Sequence, residues 1–316
     1  MSLQERVQII ERIKEEITKV YLGRTDIIEM LLIGLVVRGH ILLEGVPGVA
    51  KTTLVKAFAA CLGVEFHRIQ FTPDLLPADI TGSYIPDANR RDFFLRKGPL
   101  FSNIVLADEI NRAPAKTQSA MLEAMAEQQV TIEGESHPLV SPFMVLATQN
   151  PVEQEGVYPL PEAQLDRFLL KLHLGFPSRQ VERAMLRTYR KEPSPVEPIL
   201  QAETILQWQK EVEDIHVSEE MEEYILDLVA FSRKHRSVLL GVSPRGTLGL
   251  LRASRAVAFV RGRDYVLPDD VQLIAVPLMA HRIIIRPEAE LEGITTRRIV
   301  NEALKKVTVM RREHAV

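Results

Sequence analysis

A lysine in a glycine-rich turn, two adjacent carboxylates, an amide and two isolated arginines are the residues of this chain that could share a chemistry. The lysine comes first. Residues 40–53 read His-Ile-Leu-Leu-Glu-Gly-Val-Pro-Gly-Val-Ala-Lys-Thr-Thr: a short apolar strand, a turn, and the opening of a helix. That is the layout of a phosphate-binding loop. Gly45 and Gly48 let the backbone turn tightly and approach an anion; Val46, Pro47, Val49 and Ala50 complete the loop. The helix N-terminus, entered at Lys51, Thr52 and Thr53, attracts phosphate. Lys51 can reach the outer phosphates, and Thr52 can hold Mg²⁺. The usual pattern has glycine where this chain has Ala50, so the stretch alone also reads as a tight strand-to-helix turn.

Asp108 and Glu109 end the apolar run 103–107. A buried parallel strand would deliver them at its C-terminal edge, where open α/β sheets bind ligands. Asp108 would share the Mg²⁺ with Thr52 through water. Glu109 would take the proton of an attacking water. The bland alternative is a solvated turn ahead of the helix that starts at Ala113. Asn150 follows the run 143–147 and could orient the water, if that strand lies between the other two. Alternatively, Asn-Pro merely ends a strand. Arg167 follows a loop, badly placed for its own phosphates and well placed for a neighbour's. The alternative is a surface ion pair with Asp166 or Glu162. Arg245 follows Ser243 and Pro244, an N-cap and a first helical position. A cation there opposes the helix dipole, which a nearby phosphate would explain.

These residues need elements to hold them. Apolar spacing predicts helices at residues 7–20 and 26–37. Strands follow at 41–44, 64–70, 103–107, 143–147 and 167–174, interleaved with helices at 52–62 and 113–127. Residues 130–140 read as a β-hairpin. Five strands alternating with helices argue an α/β parallel sheet. Residues 71–100, broken by four prolines and two glycines, read as a long functional loop. After residue 176 the strand signal fades. Helical patterns recur at 179–189, 204–213, 218–234, 243–261, 268–280 and 295–309, with a Pro-rich linker at 191–198. The expected domains are an α/β nucleotide domain at 1–176, a linker and first lid helix at 177–200, and a helical lid at 201–316.

The chain of 316 residues is long enough for two domains. It is 46% hydrophobic and 26% charged, with a formal net charge of −3. This is the composition of a soluble globular protein, without the basic field that nucleic acid or an anionic membrane would call for. The single cysteine, Cys61, cannot form an internal disulfide and reads as a buried structural thiol. Residues 1–19 hold no signal-peptide core, and the longest apolar stretch, 30–37, is too short to span a bilayer. No membrane insertion and a cytoplasmic location are expected. The histidines show no metal-binding spacing, so a transition-metal site is not expected.

Gly45-Val-Pro-Gly-Val-Ala-Lys-Thr52, Leu106-Ala-Asp-Glu-Ile-Asn-Arg-Ala113, Ala147-Thr-Gln-Asn-Pro151, Leu160-Pro-Glu-Ala-Gln-Leu-Asp-Arg-Phe168 and Ser243-Pro-Arg245 together resemble the MoxR family of AAA+ ATPases, in family order and over nearly the whole chain. The family shares Ala50. The resemblance implies an AAA+ P-loop domain with a parallel five-stranded sheet, followed by an all-α lid, with ATP and Mg²⁺ in the groove between them. It assigns Lys51 and Thr52 to Walker A, Asp108 and Glu109 to Walker B, Asn150 to sensor 1, Arg167 to the arginine finger and Arg245 to sensor 2. It sets the segment of Val20, Leu22 and Gly23 against adenine. Arg112 belongs to a family motif, with no role assigned to it. Arg245 could serve its own subunit's nucleotide or a neighbour's.

The family lies in the AAA+ branch with an insert in the second helix, which residues 71–100 match. Leu75, Leu76, Ile80, Val130, Ile132 and His137 are then either client contacts near a ring's pore or packing residues. The implied function is a chaperone-like ATP-hydrolysing motor, a homohexamer, acting on a protein client with a von Willebrand factor A domain partner. Three other readings are a ring helicase or DNA remodeller, a metal-chelatase motor subunit, and a nucleotide-switched scaffold. The helicase reading wants basic residues at the hairpin tip, which is Glu133-Gly134-Glu135, so nucleic acid is not the expected partner. The scaffold reading would tolerate loss of Glu109 or Asn150, and both are present.

Overall fold

The computed structural model describes residues 2–46, 48–87, 92–150, 157–188 and 195–309. Two helices lead in. Helix α1 (Leu3–Thr18) opens on a capping box between Ser2 and Glu5 and buries Ile10, Ile13 and Ile17. Helix α2 (Thr25–Val36) is apolar on almost every side and correspondingly buried from Ile27 onward.

The α/β domain follows in chain order: β1 (Ile41–Gly45), α3 (Lys51–Cys61), β2 (Phe66–Gln70), α4 (Pro77–Thr81), β3 (Gly82–Asp87), β4 (Asp92–Lys97), β5 (Ile104–Asp108), α5 (Ala115–Glu127), β6 (Gln129–Ile132), β7 (Glu135–Pro138), β8 (Met144–Gln149), α6 (Glu162–Leu165) and β9 (Leu170–Leu174). Five strands form one sheet in the order β2-β5-β8-β1-β9, every pair parallel. Ile41, Leu42 and Leu43, with 104–106 and 144–147, are fully enclosed, because a parallel sheet carries helices on both faces. The strand that leads to Asn150 does lie between β1 and β5.

Residues 71–100 are more regular than the loop expected from their prolines. A short helix and an antiparallel hairpin, β3 with β4, occupy them; prolines sit at the first position of α4 and inside β3 without preventing either. Tyr84 of this hairpin donates to Glu135 of the β6–β7 hairpin at 2.7 Å, so the two hairpins touch. Ile80, Val130 and Ile132 are buried, Leu75 is half-buried, and His137 stacks obliquely on Tyr84. These are packing residues. Leu76 stays exposed, and so do Phe93 and Phe94 on β4, which the sequence reading did not single out.

The lid comprises α7 (Arg179–Thr188), α8 (Ala202–Glu211), α9 (Glu219–Lys234), α10 (Pro244–Val260), α11 (Pro268–Met279), α12 (Pro287–Leu291) and α13 (Thr296–Lys306). A short antiparallel pair, β10 (Val238–Leu240) with β11 (Ile284–Ile285), interrupts its helices. The lid docks on the segment that leads into β9. Arg282, almost wholly buried, donates to Asp166 Oδ1 at 2.7 Å, to Phe168 O at 2.6 Å and to Leu169 O at 3.1 Å. A guanidinium with so many acceptors is a clamp between the lid and the chain ahead of β9.

Cys61 is buried, and burial pushes its thiol up to about 12, as befits a structural thiol. His40, just ahead of β1, accepts the Val145 N–H on Nδ1 at 2.9 Å, so its proton is on Nε2, 3.0 Å from Met125 O. Burial lowers its pKa to about 4; the bond to Met125 opposes this and the charge of Arg245 adds to it. The unfolded ring, near 6.5, takes up a proton that the folded ring refuses. The stability this contributes is complete above pH 6.5 and is lost as pH falls toward 4, by roughly 2–3 kcal/mol at pH 4.5. Urea unfolding at pH 7 and 4.5 should show a loss to which buried His281, its pKa also lowered by burial, adds in the same sense, and His40→Gln should lose less than wild type by the His40 share.

Candidate active site

Strand β1 runs directly into the glycine-rich turn. Gly45 packs against β9 so closely that a Cβ would stand 2.4 Å from Leu174 O. Gly48 has φ +83°, and a Cβ there would meet nothing within 4 Å; glycine is present for the turn, and the space beside it is open. Ala50 has φ 58° and ψ 32°. The left-handed backbone explains why the common pattern has glycine at this position, and holding alanine there costs about 1–2 kcal/mol. Such strain persists where the surroundings enforce it, commonly at functional sites. No side chain caps α3, so its first N–H groups are left for a ligand or solvent. The Lys51 ammonium lies back across the loop, 2.8 Å from Gly45 O. Pro47 lies outside the described residues.

Strand β5 ends at the same sheet edge. Asp108 Oδ1 accepts from Thr148 Oγ1 at 2.6 Å, and Oδ2 accepts from Arg68 Nε at 2.9 Å and Nη2 at 2.7 Å. Glu109 also adopts the left-handed region, φ 57°, with its N–H on Thr148 Oγ1 at 2.8 Å. Its Oε2 accepts from Gln70 Nε2 at 2.9 Å and from Arg112 Nη1 at 3.0 Å. Thr148 thus ties the two carboxylates to the middle strand, while β2 supplies a donor to each. Asn150, buried, follows the end of β8. Glu44 pairs in register with Gln149, and Gln70 with Asp108, so Gly45, Asp108, Glu109 and Asn150 share one edge.

The donor set suits a hard divalent cation. A threonine hydroxyl and one carboxylate are oxygen ligands, and Mg²⁺ characteristically takes one or two carboxylates and completes its shell with water and substrate phosphates. Among the described residues no three His, Cys, Asp or Glu side chains gather into a cage for a metal.

The two arginines lie elsewhere. Ile41 pairs with Leu170 and Gly45 with Leu174, so Arg167 precedes β9 at the edge opposite the loop. The strand alone separates those edges by roughly 13 Å. Arg167 Nη1 donates to Leu122 O at 3.1 Å. Asp166 is taken by Arg282 and by Ser243 Oγ, 3.1 Å from Asp166 Oδ2. Ser243 is the N-cap of α10, as expected, and accepts from Gly246 N–H at 3.2 Å. Arg245, two residues on, is exposed and close enough to His40 to act on its titration. Asp166 therefore couples the segment of Arg167 to the helix of Arg245.

A groove of about 630 Å³ separates the sheet edge from the lid. Glu44, Lys171, His173, Ile27, Val276 and Thr296 are among its lining residues. Glu44, directly ahead of Gly45, brings the groove to the P-loop edge of the sheet. The lid is clamped to the chain ahead of β9, and its helices α11 and α13 also line the groove beside Glu44 and His173. Arg24, which follows residues 20–23, borders the groove; Tyr21 folds beneath Gly23, where a Cβ would meet its ring at 2.1 Å.

Residues 40–170 match the family model for ATPases associated with various cellular activities, and residues 230–303 match the AAA lid model. The YeaC protein of Bacillus subtilis is 47% identical over the full length of both chains. A crystal structure from Cytophaga hutchinsonii, assigned as an ATPase, superposes with TM-score 0.91 at 45% identity, covering 98% of this chain and 97% of that one. The chaperone MoxR1 of Mycobacterium tuberculosis is 43% identical, covering 98% of this chain and 84% of its own. The chain belongs to the MoxR family of AAA+ ATPases. A MoxR-family chain binds a nucleotide and hydrolyses ATP, which agrees with the loop and carboxylates on one edge.

The MoxR motifs include Thr148 without giving it a role, and name neither Arg68 nor Gln70. Arg68 and Gln70 alternate at the end of β2, a pattern visible in the sequence, but only the strand order reveals that β2 neighbours β5. Arg112, without a role in the sequence, proves to be the ion-pair partner of Glu109.

Proposed function

We propose that this protein is a MoxR-type motor whose ATP site is completed by a second copy of the chain, in a homohexameric ring that remodels a protein client. One observation carries this reading: Arg167 and Arg245 are coupled through Asp166 at the sheet edge opposite Gly45–Thr52. Neither cation reaches its own loop along that path. A heterologous, head-to-tail contact between copies would bring one subunit's arginine edge to the next subunit's loop, and repeated contacts of that kind close into a ring.

Within the site, Lys51 and the N–H groups of the loop hold the outer phosphates. Thr52 and Asp108 would hold Mg²⁺, which neutralises charge developing on the transferred phosphoryl group. Asn150 orients the attacking water. Glu109, positioned by Gln70 and Arg112, takes the water's proton as the oxygen bonds to the γ-phosphorus and ADP leaves with the bridging oxygen. Arg167 and Arg245 of the neighbour stabilise the negative charge. The domain boundaries proposed are 1–176, 177–200 and 201–316. The von Willebrand factor A partner rests on family resemblance, and the acidic hairpin tip favours a protein client over nucleic acid.

Specific ATPase activity should rise steeply with subunit concentration until rings form, then level off. Sedimentation run in parallel should show the rise coinciding with assembly. Activity per subunit that is constant across the monomer-to-oligomer transition would defeat the shared site.

A further inference from the structure

Where α2 meets the lid, Arg38, Arg252 and Arg255 surround a hollow of about 270 Å³, with Glu213, Gln209 and Val212 completing its walls. Three guanidiniums face one carboxylate. Part of this arrangement is structural. Arg252 donates to Val37 O at the end of α2, Arg38 Nε donates to Gln209 Oε1 at 3.2 Å, and Gln209 Nε2 donates to Leu35 O at 2.8 Å. Donors and cations at a helix C-terminus are favourable, and these bonds fasten α8 and α10 to α2.

Arg255 has no such explanation. Its Nε is buried and finds no acceptor among the described residues. Among the described residues, no ion pair joins Glu213 to any of the three arginines. Arg38 holds a left-handed backbone, φ 55°, uncommon for a long side chain. Partial burial, then the charges of Arg38 and Arg245, lower the pKa of Arg252, with Glu213 acting the other way. Like charges are held together with their forks incompletely used.

We propose that this hollow binds a tetrahedral oxyanion, inorganic phosphate, between the α/β domain and the lid. The volume falls below the range of whole-ligand pockets, about 300–1,000 Å³, so it suits an ion rather than a nucleotide. Three guanidiniums lining one hollow suit a phosphate, whose several oxygens can each accept a charge-assisted bond, better than a lone carboxylate, which one fork satisfies. ATP hydrolysis supplies the ion. A bound phosphate cancels the surplus positive charge at the contact of α2, α8 and α10 and so favours the docked lid.

The test is equilibrium dialysis of labelled inorganic phosphate against the full chain, with the P-loop filled by ADP and Mg²⁺. Wild type should show one saturable site, weakened at least tenfold by Arg255→Gln. Phosphate should raise the melting temperature of wild type and leave that of Arg255→Gln unmoved. The exposed Arg38→Gln should also weaken binding, and decides the matter if Arg255→Gln does not fold. No saturable phosphate in wild type overturns the proposal. So does equal binding by wild type and a folded variant.

Discussion

Glu109→Gln should lower ATP turnover by at least about 10²-fold while leaving ATP binding within a few-fold of wild type. Proton abstraction by a placed base contributes about 10²–10⁴ in rate, and glutamine cannot take the proton. Little else should change. The replacement is isosteric, its side-chain oxygen can still accept from Gln70 and Arg112, and the Glu109 N–H bond to Thr148 belongs to the backbone. The loop from Gly45 to Thr52 is untouched, so a fluorescent nucleotide should bind normally. Single-turnover measurement separates the chemical step from product release. Turnover within tenfold of wild type would mean that Glu109 is not the base. Loss of binding together with turnover would mean that its role is structural, through the side-chain bonds to Gln70 and Arg112.

The fold was readable because its elements are locally consistent. Apolar runs without alternation mark strands buried on both faces, and Ser243-Pro244 marks a helix start by its own capping chemistry. The five core strands and most lid helices fall within a few residues of expectation. Short-range patterns could not reveal adjacency. Arg68 and Gln70 look like polar positions on any half-exposed strand until β2 is known to neighbour β5. Arg282 reads as one more helix-end cation, because its acceptors at Asp166, Phe168 and Leu169 lie over a hundred residues away. The docking of the lid is set by that clamp, and no local signal reports where a docked domain will land. In the insert, prolines at tolerated positions disguised a hairpin. At Ala50 and Glu109 local rules predict the wrong backbone, since neither residue favours the left-handed region, and both lie at the site.

The second large effect concerns the arginines, and subunit mixing shows which subunit supplies them. An arginine delivered in trans to a phosphoryl group contributes about 10³–10⁵ in rate, so Arg167→Ala rings should be nearly inactive, and so should Lys51→Ala rings. The two defects fall on different sides of an interface. An Arg167→Ala subunit keeps its loop, and a Lys51→Ala neighbour keeps its arginine edge. In a randomly mixed ring roughly a quarter of the interfaces combine the two intact halves, and activity should return in that proportion if sites act independently. Confirmed mixed rings without recovery would argue against the trans finger. Arg245 makes the test sharper. If it comes from the same neighbour as Arg167, as their coupling through Asp166 supports, Arg245→Ala should be rescued by Lys51→Ala and not by Arg167→Ala. Every interface of the last mixture lacks one of the two cations. If Arg245 instead serves its own subunit's nucleotide, that last mixture is the one that recovers. An Arg167→Ala subunit would then bring its own Arg245 to the site while its neighbour brings Arg167.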